Sequence, residues 1–257
     1  MTESRSPGNV EREPNHSPYP IPEDPMDTTR STTPVLVVSP HPDDMESAAG
    51  GTIAKWAAQG RKVVLVVCTN GDKGSSDINM SPEKLSATRE EEQTSSAEVL
   101  GLAEVVFLRF PDQGLEDCYE LREKISRQIR IHRPETVVTV DPNRPYIRHP
   151  DHYVAGRVTL NCVFPFARDV HAFPEHIKQG LEPHKVREVY LWGSPEPDTF
   201  LDVTDSFETK LQALSRHRSQ VEQGWELRDM RARTRYTEVG RRIGVKYAEA
   251  FKRIEVF

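Results

Sequence analysis

Cysteine is scarce in this sequence, and its few copies lie far apart. The 257 residues include only Cys68, Cys118 and Cys162, and no C-x-x-C pair occurs. This excludes a disulfide framework and a thiolate zinc knuckle as the basis of the fold. We expect the three thiols to be small core residues, which is typical of a reducing compartment, and therefore a cytoplasmic protein.

The sequence also lacks a long apolar run and an excess of basic charge. No segment approaches the length of a membrane span, and no signal-type apolar stretch is found near residue 1. The net charge is −6, with acids and bases interleaved, which argues against a nucleic-acid partner. Seven of the 20 prolines fall in the first 34 residues, which show no apolar periodicity. We therefore expect a disordered arm at residues 1–33 and a single domain at residues 34–257.

The glycine-rich motifs of dinucleotide-binding proteins, P-loop proteins and serine hydrolases are absent as well. What is present is an alternation of short β-branched segments with longer amphipathic ones. The former predict strands at residues 35–39, 62–69, 104–110, 135–141 and 188–193. The latter predict helices at residues 46–60, 81–101 (with Ser81 as N-cap), 118–134, 206–221 and 237–254. This alternation predicts an α/β fold with a mostly parallel sheet and helices on both faces.

Two short histidine–aspartate clusters follow predicted strands. The first is His41-Pro42-Asp43-Asp44, and the second is His149-Pro150-Asp151-His152. Since both strands are predicted to be parallel, the two clusters are expected at the same edge of the sheet, where α/β folds bind ligands. A single H-P-D segment is compatible with an ordinary turn. Two of them at one edge predict a shared site.

The side chains of these clusters point to metal-assisted hydrolysis. Imidazole and carboxylate suit a divalent zinc ion, and catalytic zinc sites use three protein ligands with one position left for water. Zinc lowers the pKa of bound water from ~15.7 towards ~7. A neighbouring carboxylate can then accept the water's proton, and a charged histidine held by an aspartate can stabilise an oxyanion. The other histidines of the loop-rich segment, His171, His176 and His184, are expected at the surface.

With both clusters in view, the sequence resembles the PIG-L/LmbE-like zinc-dependent N-acetylglucosamine deacetylases. The segment "PHPDDMESAAGGTIAKWAAQG" is similar to that family's HPDDE…GGT signature. Similar blocks follow in the family's order at residues 69–75, 89–101, 107–117, 148–157 and 246–254. The resemblance covers most of the chain after the arm, and it implies a Rossmann-like three-layer fold.

The resemblance also implies a role for each residue of the first cluster. His41 and Asp44 would bind zinc together with His152 of the second cluster. Asp43 would be the general base. The family's usual acid after the two aspartates is Met45 here, a position that is not expected to bind metal.

The remaining roles come from the second cluster and from two blocks between the clusters. His149 would stabilise the oxyanion and act as an acid, with Asp151 as its orienting partner. Arg89 and Asp112 would contact sugar hydroxyls. From the residues alone, Arg89 could equally form a salt bridge on a helix surface, and Asp112 could be a turn residue in "PDQG". Tyr146 lies near a tyrosine position that some members use, but it is offset and has no assigned role.

The implied activity is removal of the N-acetyl group from a small N-acetylglucosamine-type sugar or glycoconjugate by zinc-activated water. Fe²⁺ is an alternative ion because His/Asp ligands accept several divalent metals. The family also implies a homo-oligomer. One alternative is a thiol-conjugate amidase with the same zinc centre, which the loops at 165–187 and 194–200 would distinguish. The other is a non-catalytic carbohydrate-binding protein, which would be expected to lack the metal ligands.

Overall fold

The computed structural model describes residues 33–146 and 148–257, so the predicted arm lies outside the described residues apart from Thr33. A seven-stranded sheet organises these residues, with the strand order β3-β2-β1-β4-β5-β7-β6. Its strands are β1 (Val35–Ser39), β2 (Val63–Thr69), β3 (Glu104–Phe110), β4 (Thr136–Val140), β5 (Glu188–Trp192), β6 (Thr199–Asp202) and β7 (Ala248–Glu255). The first five pair in parallel, and β7 is antiparallel to both of its neighbours.

Helices cover both faces of this sheet. They are α1 (Asp44–Ala58), α2 (Pro82–Leu100), α3 (Tyr119–His132), α4 (Pro150–Asn161), α5 (Pro174–Lys178), α6 (Phe207–Leu214), α7 (Arg218–Val221) and α8 (Trp225–Arg241). Along β1, Leu36 and Val38 pack in the core that contains residues of α3 and α4, whereas Val35 and Val37 pack in the core that contains α1. The predicted three-layer Rossmann-like α/β fold is therefore confirmed.

The strand order places a topological switch point at β1. From β1 the chain moves outward through β2 and β3, and then returns to form β4 on the other side of β1. Because β1 and β4 are adjacent and parallel, the loops that follow them leave the same edge side by side. These loops carry the two histidine–aspartate clusters.

Two glycines allow α1 to pack closely beside the carboxyl-terminal part of the chain. A Cβ at Gly50 would lie 3.1 Å from Cγ of Lys210, and a Cβ at Gly51 would lie 2.8 Å from Cβ of Val203. The carboxylate of the buried Glu249 accepts the backbone N–H groups of Gly51 and Thr52 at 3.0 and 2.8 Å. It also accepts a 2.6 Å bond from Lys210, itself buried. The glycine pair of the first motif is thus explained by close packing of α1.

The prediction of a helix at 237–254 is wrong. Helix α8 begins earlier and ends at Arg241, Gly244 adopts a φ of +74°, and the remaining residues form β7. The backbone partners of β7 are β5 and β6, which are distant in sequence, so local periodicity did not reveal the strand. The predicted helix at 206–221 is likewise divided into α6 and α7, with His217 between them. The N-cap at Ser81 is confirmed, since its side chain accepts the Lys84 N–H.

His176 was expected at the surface, and this prediction is wrong as well. Its side chain is fully buried, and its Nε2 lies 2.6 Å from Oε1 of Glu123 in α3. The ring stacks on Phe173, so it fills a core position while one nitrogen keeps a polar partner. Among the residues described, no helix combines the length and the apolar character that a membrane crossing requires.

Candidate active site

The loops after β1 and β4 bring three expected metal ligands together. Nδ1 of His41 lies 3.0 Å from Oδ2 of Asp44, and Nε2 of His152 lies 3.1 Å from the same oxygen. The three candidate ligand atoms all lie within 4.8 Å of one another. His41 and Asp44 flank the start of α1, whereas His152 belongs to the first turn of α4. Residues more than a hundred positions apart therefore form one cluster.

Asp44 is set up to be ionised in this cluster. Burial alone would raise the pKa of its carboxyl group, but the hydrogen bonds to His152 and His41 outweigh burial and hold that pKa well below its usual range. Asp44 is also the first residue of α1, where the helix dipole favours a negative charge. The group therefore presents a carboxylate, which is the form that binds a metal.

The two ring nitrogens of His41 contact different carboxylates. Its Nε2 lies 3.1 Å from Oδ1 of Asp112 and 3.2 Å from Oδ2 of Asp151. Burial alone would lower the pKa of His41, but the bonds to Asp112, Asp151 and Asp44 raise it to about 11. A carboxylate on one ring nitrogen is the usual arrangement for a metal-binding histidine, because it fixes the ring and leaves the other nitrogen, here Nδ1, for the ion.

Asp43 occupies a different environment from its neighbour Asp44. Its φ is 88°, a left-handed conformation that aspartate adopts more readily than most residues. One of its carboxylate oxygens lies 3.6 Å from Nη2 of Arg89. Burial raises the pKa of Asp43 to about 6, although the positive charge of Arg89 opposes the shift. The two adjacent aspartates are thus held apart in pKa, as a metal ligand and a proton acceptor need to be.

A buried polar cluster supports Asp43 from behind, and it was missed in the sequence. Gln93 accepts the Asp43 N–H at 3.2 Å and donates to Oε1 of Glu46 at 2.5 Å. The same oxygen accepts from Ser96 at 2.7 Å and lies 3.5 Å from Nε2 of His217. All four of these supporting side chains are fully buried. The spacing of Gln93 four residues after Arg89 on a predicted helix was the available signal, since it places both on one face.

His149 and Asp151 interact differently from the expected histidine–carboxylate pair. The Asp151 carboxylate lies 3.9 Å from Nδ1 of His149, and it is taken up by His41 and by the N–H groups of Gln113 and Leu115. Instead, the backbone N–H of Asp151 donates to Nδ1 of His149 at 3.2 Å. Nδ1 is therefore an acceptor, and Nε2 carries the proton. Burial lowers the pKa of His149, which favours a neutral ring rather than the charged one expected.

The two expected sugar contacts lie beside Asp43 and His41. Arg89 is buried and donates to the carbonyl oxygens of Gly71 and Pro42, so it does not form the alternative surface salt bridge. Asp112 lies in the turn that the Gly114 N–H closes on the Pro111 carbonyl oxygen, as the alternative expected, but its carboxylate is buried and contacts His41. Contact of either residue with a sugar stays a prediction. Tyr146, left without a role, is 97% exposed.

The donor set fits a divalent metal ion. His41, Asp44 and His152 supply two imidazole nitrogens and one carboxylate oxygen, which is the ligand number of a catalytic site with an open position. Asp112, His149 and Asp151 form a second possible set that shares His41. We favour the first set, because in the second the ring nitrogen of His41 faces the two carboxylates that orient it.

Comparison with known proteins agrees with this site. A family described as "PIG-L: GlcNAc-PI de-N-acetylase" matches residues 36–163. The diacetylchitobiose deacetylase of Thermococcus kodakarensis is 37% identical over 219 residues, which cover 85% of this chain and 82% of that protein. A probable N-acetyl-alpha-D-glucosaminyl L-malate deacetylase 2 of Bacillus cereus is 32% identical over 73% of this chain and 84% of that protein.

Solved structures agree in the same way. The N,N'-diacetylchitobiose deacetylase from Pyrococcus horikoshii, in complex with its inhibitor MPG, matches with a TM-score of 0.84 and 32% identity. The match covers 91% of this chain and 88% of that one. Sequence, fold and site geometry thus point to one assignment. The chain belongs to the PIG-L family of de-N-acetylases.

Proposed function

We propose that this protein is a metal-dependent hydrolase that removes the N-acetyl group from a small N-acetylglucosamine-type substrate. The observation that carries the proposal is the convergence of His41, Asp44 and His152 next to the half-buried carboxylate of Asp43. By their names, the relatives from Thermococcus kodakarensis and Bacillus cereus act on diacetylchitobiose and on an N-acetyl-glucosaminyl malate, both of which carry acetylated glucosamine. The bond broken is the amide C–N bond, and the products are acetate and a free amine.

We propose zinc as the ion, held by His41, Asp44 and His152. When bound there, zinc would polarise the acetyl carbonyl and lower the pKa of a coordinated water. The ligand types also suit Fe²⁺, so the identity of the ion is decided by metal analysis of the purified protein. Asp112 and Asp151 support the proposal, because together they orient the His41 ring.

Asp43 is proposed as the general base. With a pKa of about 6, its carboxylate is mostly ionised at neutral pH and still basic enough to accept a proton from the attacking water. His149 is proposed to donate its Nε2–H to the acetyl oxygen as negative charge develops there. This role is supported by the Asp151 N–H, which occupies Nδ1 and leaves the proton on Nε2. The proton taken by Asp43 then passes to the departing amine.

Arg89 and Asp112 are proposed to contact substrate hydroxyls from their positions beside Asp43 and His41. Both are also bonded within the protein, and they therefore hold the catalytic groups in place whether or not a sugar is bound. A split between KM and kcat would separate these roles. Loss of sugar contact raises KM, whereas displacement of Asp43 or His41 lowers kcat.

The test is a panel of N-acetylglucosamine derivatives assayed for acetate release, with and without a chelator. We expect release from at least one N-acetylglucosamine derivative, its loss after chelation and its recovery on addition of zinc. A bulky thiol-conjugate amide in the same panel tests the amidase alternative. Activity that survives complete metal removal would overturn the mechanism, and a metal-loaded protein that releases no acetate would favour the non-catalytic alternative.

Cytoplasmic location and self-association are also proposals. The three cysteines are free, and two of them are buried, which is typical of a reducing compartment. Phe164 and Phe257 are 58% and 97% exposed, and an apolar surface of this kind is often covered by a second copy of the chain. Cell fractionation and light scattering on the purified protein test these two proposals.

A further inference from the structure

A cavity of about 590 Å³ opens directly beside the two catalytic aspartates. One wall is formed by Asp43, Asp44 and Ser47 at the start of α1. The opposite wall is formed by α8. This volume is in the range of small-molecule sites, and it exceeds what a bare acetamido group needs.

Three arginines of α8 line this cavity as a stripe. Arg228, Arg231 and Arg235 are spaced three and four residues apart, so they lie on one face of the helix. All three are exposed. Within residues 33–146 and 148–257, none of them has an acidic partner within 4.0 Å, in contrast to Arg233 on the same helix, which pairs with Glu208 and Asp229.

The acids of the cavity wall do not balance this stripe. Asp44 is bonded to His41 and His152, and Asp43 faces Arg89. Lys210 also lines the cavity, but its ammonium group already pairs with Glu249, which lies outside the lining. The three arginines that face the cavity therefore have no paired acid among the described residues.

Helix α8 is fixed beside the site. The hydroxyl of Tyr236 donates to the carbonyl oxygen of Ser47 in α1 at 2.5 Å. The Lys210 ammonium lies 3.7 Å from the centre of the Tyr236 ring, which adds a cation–π contact. Tyr236 follows Arg235 directly and is buried, so the arginine stripe is held at a fixed distance from α1.

We propose that this arginine stripe binds an anionic group, a carboxylate or a phosphate, on the part of the substrate beyond the N-acetylated sugar. The inference rests on the proposed function and narrows it to acidic glucosaminides. A guanidinium binds these anions through two parallel hydrogen bonds, which gives orientation as well as attraction. A neutral sugar in the same cavity would form no ion pair with the stripe.

The test compares three substrates that share the N-acetylglucosamine group. They are the 1-phosphate, the carboxymethyl glycoside and the neutral methyl glycoside. We expect kcat/KM to be at least tenfold higher for one or both anionic substrates. In the double variant Arg228→Gln/Arg231→Gln, the ratio of anionic to neutral kcat/KM is expected to fall at least tenfold. Which anion responds identifies the chemical group.

The matched control is Arg241→Gln/Arg242→Gln. Arg241 is the last residue of the same helix and Arg242 is its C-cap. Both are exposed and neither lines the cavity, so the control removes the same charge elsewhere. We expect it to leave the anionic-to-neutral ratio within twofold. An equal loss in the control would overturn the proposal, because it would mean that total surface charge decides the preference.

Binding of the deacetylated ligands separates this inference from the proposed function, since it requires no hydrolysis. Calorimetric titration with glucosamine 1-phosphate, carboxymethyl glucosaminide and methyl glucosaminide is expected to give at least tenfold tighter binding of an anionic ligand, and the loss of that preference in Arg228→Gln/Arg231→Gln. If no substrate is hydrolysed but this preference is observed, the deacetylase proposal fails and the anion site stands. If all three ligands bind equally, the anion site fails.

Discussion

Gln93 holds Asp43 in place: its side-chain oxygen accepts the backbone N–H of a residue whose φ is 88°. The amide nitrogen of Gln93 is in turn bonded to the fully buried Glu46. The position of the proposed base is therefore determined by two side chains that do not themselves react. A left-handed residue costs free energy, and such a conformation persists when the surrounding contacts enforce it.

Replacement of Gln93 should thus impair catalysis without loss of metal. In Gln93→Ala, the Asp43 N–H and a Glu46 oxygen each lose a partner, which we expect to cost about 1–3 kcal/mol of stability. We expect kcat to fall by about tenfold or more, since a small displacement of a catalytic group is expensive. Kinetics, metal content and urea unfolding measure these effects. Gln212→Ala, at an exposed position of α6, is the control, and equal losses in both variants would contradict the positioning role.

Variants of the proposed base Asp43 and of the proposed metal ligand His152 are expected to lose activity for different reasons. Asp43→Asn keeps the shape and tolerates the left-handed backbone, so we expect normal metal content and a fall in kcat of about 10²–10⁴. His152→Ala removes a ligand, and we expect both metal and activity to be lost. Metal analysis beside the acetate assay distinguishes the two. An Asp43→Asn enzyme with full activity would rule out Asp43 as the base.

The pH profile of kcat/KM should report the ionisation of Asp43. Burial raises the pKa of this group to about 6, and only the ionised form accepts a proton. Activity is therefore expected to be constant above about pH 7 and to fall about tenfold for each unit below pH 6. Because the charge of Arg89 lowers this pKa, Arg89→Met should move the acidic limb to higher pH. A limb that stays near pH 4 in both enzymes would disagree with this assignment.

The buried ion pair between Lys210 and Glu249 is expected to matter for folding. Both side chains are essentially inaccessible, so Glu249→Gln would leave a buried charge without its partner. We expect a loss of about 3–5 kcal/mol in the free energy of unfolding, measured with urea. The exposed pair of Lys124 and Glu120 offers the matched control, because Glu120→Gln should cost less than about 1 kcal/mol. Similar costs for the two changes would refute the argument.

The apolar pattern of the sequence predicted those strands and helices whose limits are set by nearby residues. The five parallel strands, α1 to α3 and the Ser81 cap follow from apolar runs and capping residues within a few positions of one another. The meeting of His41 with His152 was also predictable, because parallel strands deliver their following loops to one edge. The resemblance to a known family then supplied the roles.

The rest depends on contacts between distant residues. The residues of β7 were predicted to be helical from their local pattern. They form a strand because they pair with β5 and β6, which are distant in sequence. Gln93 and His217 come from separate segments, and no local spacing places them around the buried carboxylate of Glu46. His176 is likewise buried against Glu123, its hydrogen-bond partner 53 residues earlier in the chain.

The backbone N–H groups of Gly51 and Thr52 donate to Glu249, which lies 198 and 197 positions later in the chain. The helix that carries Asp44 therefore receives one of its buried anchors from β7, a strand that is synthesised long after the helix itself. While the ribosome is still translating the middle of the chain, α1 lacks that anchor, and we expect the nascent chain to be inactive. Activity should consequently appear only after residue 249 has emerged, in a single late step rather than in proportion to chain length.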